Sequence, residues 1–273
     1  MLSFVEAGIM YKGVDYMKET QSFITLQNVQ LTIACVGFLV FFRETPENPP
    51  SPEANVKVEK IELRKVFGQA FANKGFVIVC VNFACMYGAF ASMSDVLSLL
   101  FTGFNPLRSK HGIPVYTTDD ISIFGALTTV AGVICSFTSA ILLKKSGTFL
   151  LPMRVFITLC AIMLTLGLIL IPKGPIVLVG IILMLLGMSL VPLIPLSYAY
   201  ASKLTYPIDP PTTQGILLMF GMGWGAIEGT FGTFICQVDP RYLIALWILQ
   251  ALFALFNTFR IPKETDKNDE RAS

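Results

Sequence analysis

The chain has 273 residues, 54% of them hydrophobic and 14% charged, with a formal net charge of +2 and a mean hydropathy of +0.68. Soluble domains carry about 25% charged residues; here the apolar residues fall in long blocks nearly free of charge. One water-facing core cannot hide that much apolar surface, so the expected class is an all-α membrane protein whose first partner is the lipid bilayer.

The net charge is too small, and a basic run with interleaved aromatics is lacking, so nothing points to nucleic acid. The cysteines (Cys35, Cys80, Cys85, Cys135, Cys160 and Cys236) all lie in apolar blocks, where they behave as small hydrophobes. There is no CxxC pair, and the only histidine is His111, so neither a disulfide framework nor a metal or other cofactor is expected. No cleavable signal peptide is expected at the start.

A bilayer is crossed by about twenty apolar helical residues, because each backbone amide must be satisfied internally. That ruler predicts about seven transmembrane helices, at 27–42, 75–101, 121–143, 150–171, 176–202, 212–236 and 242–259. Residues 1–26 read as the stump of an earlier span plus an outer loop, and 27–42 as the first span. Residues 43–74 form a central loop, 75–259 a six-helix unit and 260–273 a tail. The central loop opens as the proline-rich RETPENPPSPEA and ends as a mixed-charge amphipathic stretch, read as a surface helix.

Seven spans place alternate connections on the same side. The 43–74 loop, the later connections on its side and the tail hold fourteen Lys and Arg; the other side holds six. The positive-inside rule then makes the loop and the tail cytoplasmic.

Along the second span, helical spacing puts Tyr87, Ala91, Ser94, Asp95 and Ser98 on one face, while Phe90, Met93, Leu97 and Leu100 lie elsewhere. Such a stripe suits a water-filled cavity, or a seam in which Tyr87 packs between helices. Asp95 would cost about 2.5–3.5 kcal/mol at the bilayer centre, less near a span end, which favours a place by the outer mouth. The fifth span carries Pro192 and Pro195 near its middle, where they free carbonyls and bend the helix. In the sixth, Gly221, Gly225 and Gly229 recur every fourth residue, a strip for close helix approach or flexing. Glu228 sits mid-span with no basic residue in its block, so it must be protonated, hydrated or paired with another helix. It is the leading candidate for a solute or proton contact; locking two helices together is the structural alternative. Trp224 and Tyr198 or Tyr200 could stack on a ligand or simply pack.

In chain order, FFRETPENPPS, NKGFVIVCVNFACMYGAF, PLIPLSYAYASKLTYP and TTQGILLMFGMGWG resemble segments of the feline leukaemia virus subgroup C receptor-related proteins, a branch of the major facilitator superfamily. The most specific element is Leu204-Thr205-Tyr206-Pro207 at a helix-to-loop junction. The resemblance implies that the first span is the family's sixth and that 75–259 is the C-terminal six-helix half of the superfamily fold. It further implies transport of a heme- or choline-like solute by alternating access. The family's pocket tyrosine falls on Ala91, and its pocket glutamine falls on Met222. Two family acids fall on Ala199 and Lys203, and the usual Asp-Arg gate pair is Lys144-Lys145.

The expected substrate-binding set is therefore Tyr87, Ala91, Ser94, Asp95, Tyr198, Met222, Trp224 and Glu228. Two functions stand against each other. One is a transporter of a small-molecule solute, requiring an N-terminal half or a partner subunit to close the cavity. The other is a non-transporting membrane subunit derived from a half-transporter and packed in a larger complex. An enzyme is not expected, since no nucleophile–base pair or phosphate-binding loop is present.

Overall fold

The computed structural model describes residues 16–41, 63–108, 116–146 and 148–261. Among these there are nine helices and no strand: α1 (Tyr16–Phe41), α2 (Leu63–Ala72), α3 (Lys74–Arg108), α4 (Thr118–Ser146), α5 (Leu150–Leu170), α6 (Ile176–Leu190), α7 (Leu193–Leu204), α8 (Pro210–Val238) and α9 (Pro240–Arg260). His111, the proline-rich part of the central loop and the tail beyond Ile261 lie outside the described residues.

Five stretches are long and apolar enough to cross a bilayer: Lys74–Phe104, Thr118–Ile141, Leu150–Leu170, Ile176–Leu204 and Pro240–Arg260. The fourth comprises α6 and α7 end to end, with the break at Val191–Pro192 where the proline spacing predicts a bend. The block expected at 212–236 is α8; its 29 residues could span, but Glu228 and six glycines dilute its apolar character. The block expected from residue 27 lies within α1, whose helix starts at Tyr16. Only Ile24–Val40 of α1 is strongly apolar, and its side chains are uncovered, Leu39 at 80% exposure.

The amphipathic end of the central loop is α2, as its mixed pattern predicts. It buries Val66 and Ala70, exposes Lys65 and Gln69, and sets the Phe71 ring edge-on to Phe76 and Phe220. Asn73 then joins α2 to α3: its Oδ1 accepts from the amides of Gly75 (2.9 Å) and Phe76 (3.4 Å), capping α3. Its Nδ2 donates to the Leu204 carbonyl at 2.8 Å, tying that cap to the end of α7.

Other helix ends are closed by local chemistry. Thr117 and Asp120 exchange bonds at the start of α4, with Asp120 Oδ2 accepting from the Thr117 amide and Thr117 Oγ1 from the Asp120 amide. The Asp239 carboxylate accepts from the Arg241 amide ahead of α9, with Pro240 in the first turn. Arg154 of α5 donates to the Thr258 carbonyl at 2.9 Å and lies 4.4 Å from the Phe259 ring, so α5 finishes the end of α9.

Glycine governs the two closest helix crossings. Between α3 and α8, a Cβ at Gly225 would lie 2.9 Å from the Ala91 Cβ and 3.4 Å from Gly88 Cα; one at Gly221 would lie 2.7 Å from the Phe83 ring. Between α4 and α6, a Cβ at Gly187 would fall onto the Thr128 carbonyl oxygen, and one at Gly132 would strike the Val191 side chain. Lipid tails are as apolar as leucine, so these pairs are held by contact at close range rather than by expulsion of water.

A methyl group at Gly187 must push α4 and α6 apart, whereas Gly223, on the open side of α8, has nothing within 4 Å of its own added Cβ. Gly187→Ala should therefore lose about 1–3 kcal/mol of stability by overpacking, while Gly223→Ala should stay within about 1 kcal/mol on the stabilising side. Thermal unfolding of both variants in detergent checks the contrast; equal midpoints would break it.

Candidate functional site

The expected site residues separate into three groups. The first joins α3 to α7. Tyr87 stacks on Phe83 with ring centroids 5.1 Å apart and planes 10° apart, and Phe83 in turn meets Tyr198 at 5.3 Å. Tyr87 and Tyr198 are thus brought together, through a phenylalanine that the sequence reading passed over. Phe83 is one turn before Tyr87, and that spacing was its signal. Tyr200 is a packing residue, 1% exposed and stacked on Phe149 at 5.4 Å.

The second group lies along the α3–α8 seam. Ala91 is half-buried against Gly225, and Asp95 is exposed beside Gly229, where an added Cβ would stand 3.2 Å from its Oδ2. Ser94 is half-buried and Ser98 is exposed. The hydroxyls of this region are satisfied by their own helices: Ser94 donates to the Phe90 carbonyl (3.0 Å), Thr102 to Ser98 (2.9 Å), Thr230 to Ala226 (2.8 Å) and Thr233 to Gly229 (2.9 Å). A carboxylate has no such option, and nothing among the described residues pairs with Asp95.

The third group is Glu228, which turns from that seam toward α9. It is 4% exposed, and Gln250 Nε2 donates to its Oε1 at 3.1 Å. Its Oε2 and the Gln250 Oε1 are buried without a partner among the described residues. Next to this pair, Trp247 Nε1 donates to Ser92 Oγ at 3.2 Å, so α3, α8 and α9 share a small polar knot inside an apolar bundle. Pairing with another helix, one of the three states open to Glu228, is the one observed. Gln250 and Trp247 were missed: each sits in an apolar run with nothing in its spacing to mark it.

Met222 joins none of these groups, and Trp224 flanks the α3–α8 seam with its indole against Gly88. Met222 is 53% exposed on α8. Trp224, 41% exposed, lines a groove of about 530 Å³ with Phe71, Cys85, Phe220, Gln250 and Phe253. That groove is almost wholly apolar. Among the described residues no group of three or more His, Cys, Asp or Glu could hold a metal ion, and the six cysteines are all unpaired.

Apolar side chains stand uncovered along the helices: Phe137 is 73% exposed, Leu249 64% and Phe231 62%. Large apolar side chains exposed in such number along spanning-length helices fit a lipid surrounding. Together with five helices of spanning length, they define a multi-pass membrane protein built of helices. No protein-family model matches the chain, and no curated protein matches its sequence.

Glu228→Gln keeps an oxygen acceptor for Gln250 and removes the carboxylate, whereas Glu228→Ala strips the partner from a buried amide. We expect Glu228→Ala to cost about 1–3 kcal/mol and Glu228→Gln clearly less. Unfolding midpoints in detergent decide it: a Glu228→Gln loss as large as that of Glu228→Ala would show that the carboxylate itself is required.

Proposed function

We propose that the chain is the C-terminal half of a major-facilitator-type transporter, similar to the feline leukaemia virus subgroup C receptor-related proteins. It would move a small organic solute, heme- or choline-like by that resemblance, by alternating access. In this reading α8 also spans, α3 to α9 make six membrane crossings, α1 is the last span of the opposing half, and the α2 side is cytoplasmic. The observation that carries it is Asp95. An exposed, unpaired carboxylate within a spanning helix is expensive against lipid but acceptable against a water-filled cavity. Tyr87 and Tyr198, half-buried and joined through Phe83, would flank the same opening.

The half-cavity needs a second wall, from an N-terminal half or a partner subunit, because solute sites of such transporters lie between the two repeats. One observation favours the competing reading of a non-transporting subunit. Ala91, at the position of the family's pocket tyrosine, lies against Gly225 and supplies no hydroxyl or ring there.

Uptake of radiolabelled choline and of heme, measured in cells expressing the full chain and in vesicles carrying it with whatever co-purifies, tests the proposal. Uptake above empty controls, falling at least tenfold in Asp95→Ala at equal surface expression, is the expected result. No uptake of either solute, with stoichiometric co-purification of another multi-pass protein, would replace transport with the subunit reading. Glu228→Gln adds a second check: unchanged flux at every pH would remove Glu228 from the solute or proton path.

A further inference from the structure

Two small cavities lie inside the bundle, and they differ in one respect. The first, of about 20 Å³, is walled by Met93, Leu97, Met163, Leu164, Leu186 and other apolar side chains. The second, of about 10 Å³, is walled by Asn82, Met86, Tyr87, Met153, Leu190 and Ser197 among others. Asn82 is 2% exposed, and neither its Nδ2 nor its Oδ1 finds a hydrogen-bond partner among the described residues. A buried amide with both ends unmet is rare, because the unmet groups lose their water without recompense.

The same cavity touches the break between α6 and α7. Pro192 offers no N–H to the Met188 carbonyl, and the Ile194 amide donates at 3.1 Å to Val191, three residues back, instead of to Leu190. Leu190, whose carbonyl is thereby left short of its helical donor, shares the cavity wall with Asn82.

We propose that this cavity is a binding site for one water molecule, held between the Asn82 amide and the broken turn at Leu190. The chemistry selects water over other occupants. A cation would satisfy Oδ1 but face the Nδ2 protons, and an apolar atom would leave both ends unmet. Anything larger exceeds the space, which is that of a single water. Water accepts from Nδ2 and donates to the Leu190 carbonyl, which the Ile194 amide leaves free by turning to Val191. The site does not depend on the transport reading. Its consequence is that the bend in the fourth span is hydrated, with Asn82 as its positioning residue.

The test is X-ray radiolytic footprinting of the purified chain in detergent, in which internally bound water oxidises the side chains beside it. The four cavity methionines form a matched set: Met86 (5% exposed) and Met153 (1%) beside Asn82, Met93 (5%) and Met163 (8%) in the apolar cavity. Oxidation of Met86 and Met153 should be several-fold faster than that of Met93 and Met163. In Asn82→Leu it should drop to the level of the second pair. Equal rates for the two pairs in the unaltered chain would overturn the proposal whether or not the variant folds. So would unchanged rates at Met86 and Met153 in a folded Asn82→Leu protein.

Discussion

Helices in lipid lack the force that assembles soluble bundles, since moving a leucine from lipid into a helix interface gains little. What remains is contact at short range, and the chain obtains it by deleting side chains where two helices cross. Along α3, Phe83 and Tyr87 meet Gly221 of α8, Gly88 and Ala91 meet Gly225, and Asp95 meets Gly229, while Thr128 and Gly132 of α4 meet Gly187 of α6. Both crossings bring backbone to backbone. The rest follows from them: α8 can carry polar groups and still belong to the bundle because its glycine strip fixes it along α3, and the uncovered side of α8 is left for other uses.

Polar chemistry in this bundle is arranged by what each group can do without water. Hydroxyls return to their own helix, as Ser94, Thr102, Thr230 and Thr233 do, so their positions carry little information about ligands. Amide and indole side chains, which cannot fold back so easily, reach across. Asn73 caps α3 and holds the end of α7, Trp247 finds Ser92, and Gln250 finds Glu228. Tyr116 donates at 2.6 Å to the Ile171 carbonyl and so anchors the turn after α5. Against that background Asp95 and Asn82 stand out. One is exposed and unpaired among the described residues, the other buried and unpaired.

The helical class was legible because spanning helices impose a length and a composition that no fold of this chain can avoid, and the positions of α3 to α7 and α9 follow from that ruler. The break at Pro192 was legible for a similar reason, as proline removes a donor wherever it stands. The glycine strip of α8 could be read from its four-residue period. Gly132 and Gly187 could not, since each makes its close contact singly within a uniformly apolar run. Site residues were harder still. Spacing put Tyr87, Ala91 and Asp95 on one face, which holds, but it does not say whether a face meets water, lipid or another helix. That face proves to be the α8 seam itself, packed at Ala91 and open at Asp95. Glu228 was legible as a problem, while its solution lay 22 residues away in Gln250, and no one-dimensional pattern links the two.

The division of labour along α8 bears on how the protein could work. Glu228 and Gly229 are neighbours in sequence, yet the carboxylate is tied to α9 and the glycine lies against Asp95 of α3. A rotation of α8 about its axis, or a slide along α3, would have to break the bond to Gln250 and re-sort the contacts at Gly225 and Gly229 together. The glycines make such a slide sterically cheap, and the buried pair makes it energetically discrete, because a half-made acid–amide contact in a dry interior satisfies neither partner. The bond to Gln250 and the close contacts at Gly225 and Gly229 therefore hold α8 in one register together. Across the seam Asp95 stands against Gly229, the residue next to the one that Gln250 holds, so the exposed carboxylate of α3 and the buried one of α8 are separated by a single glycine contact.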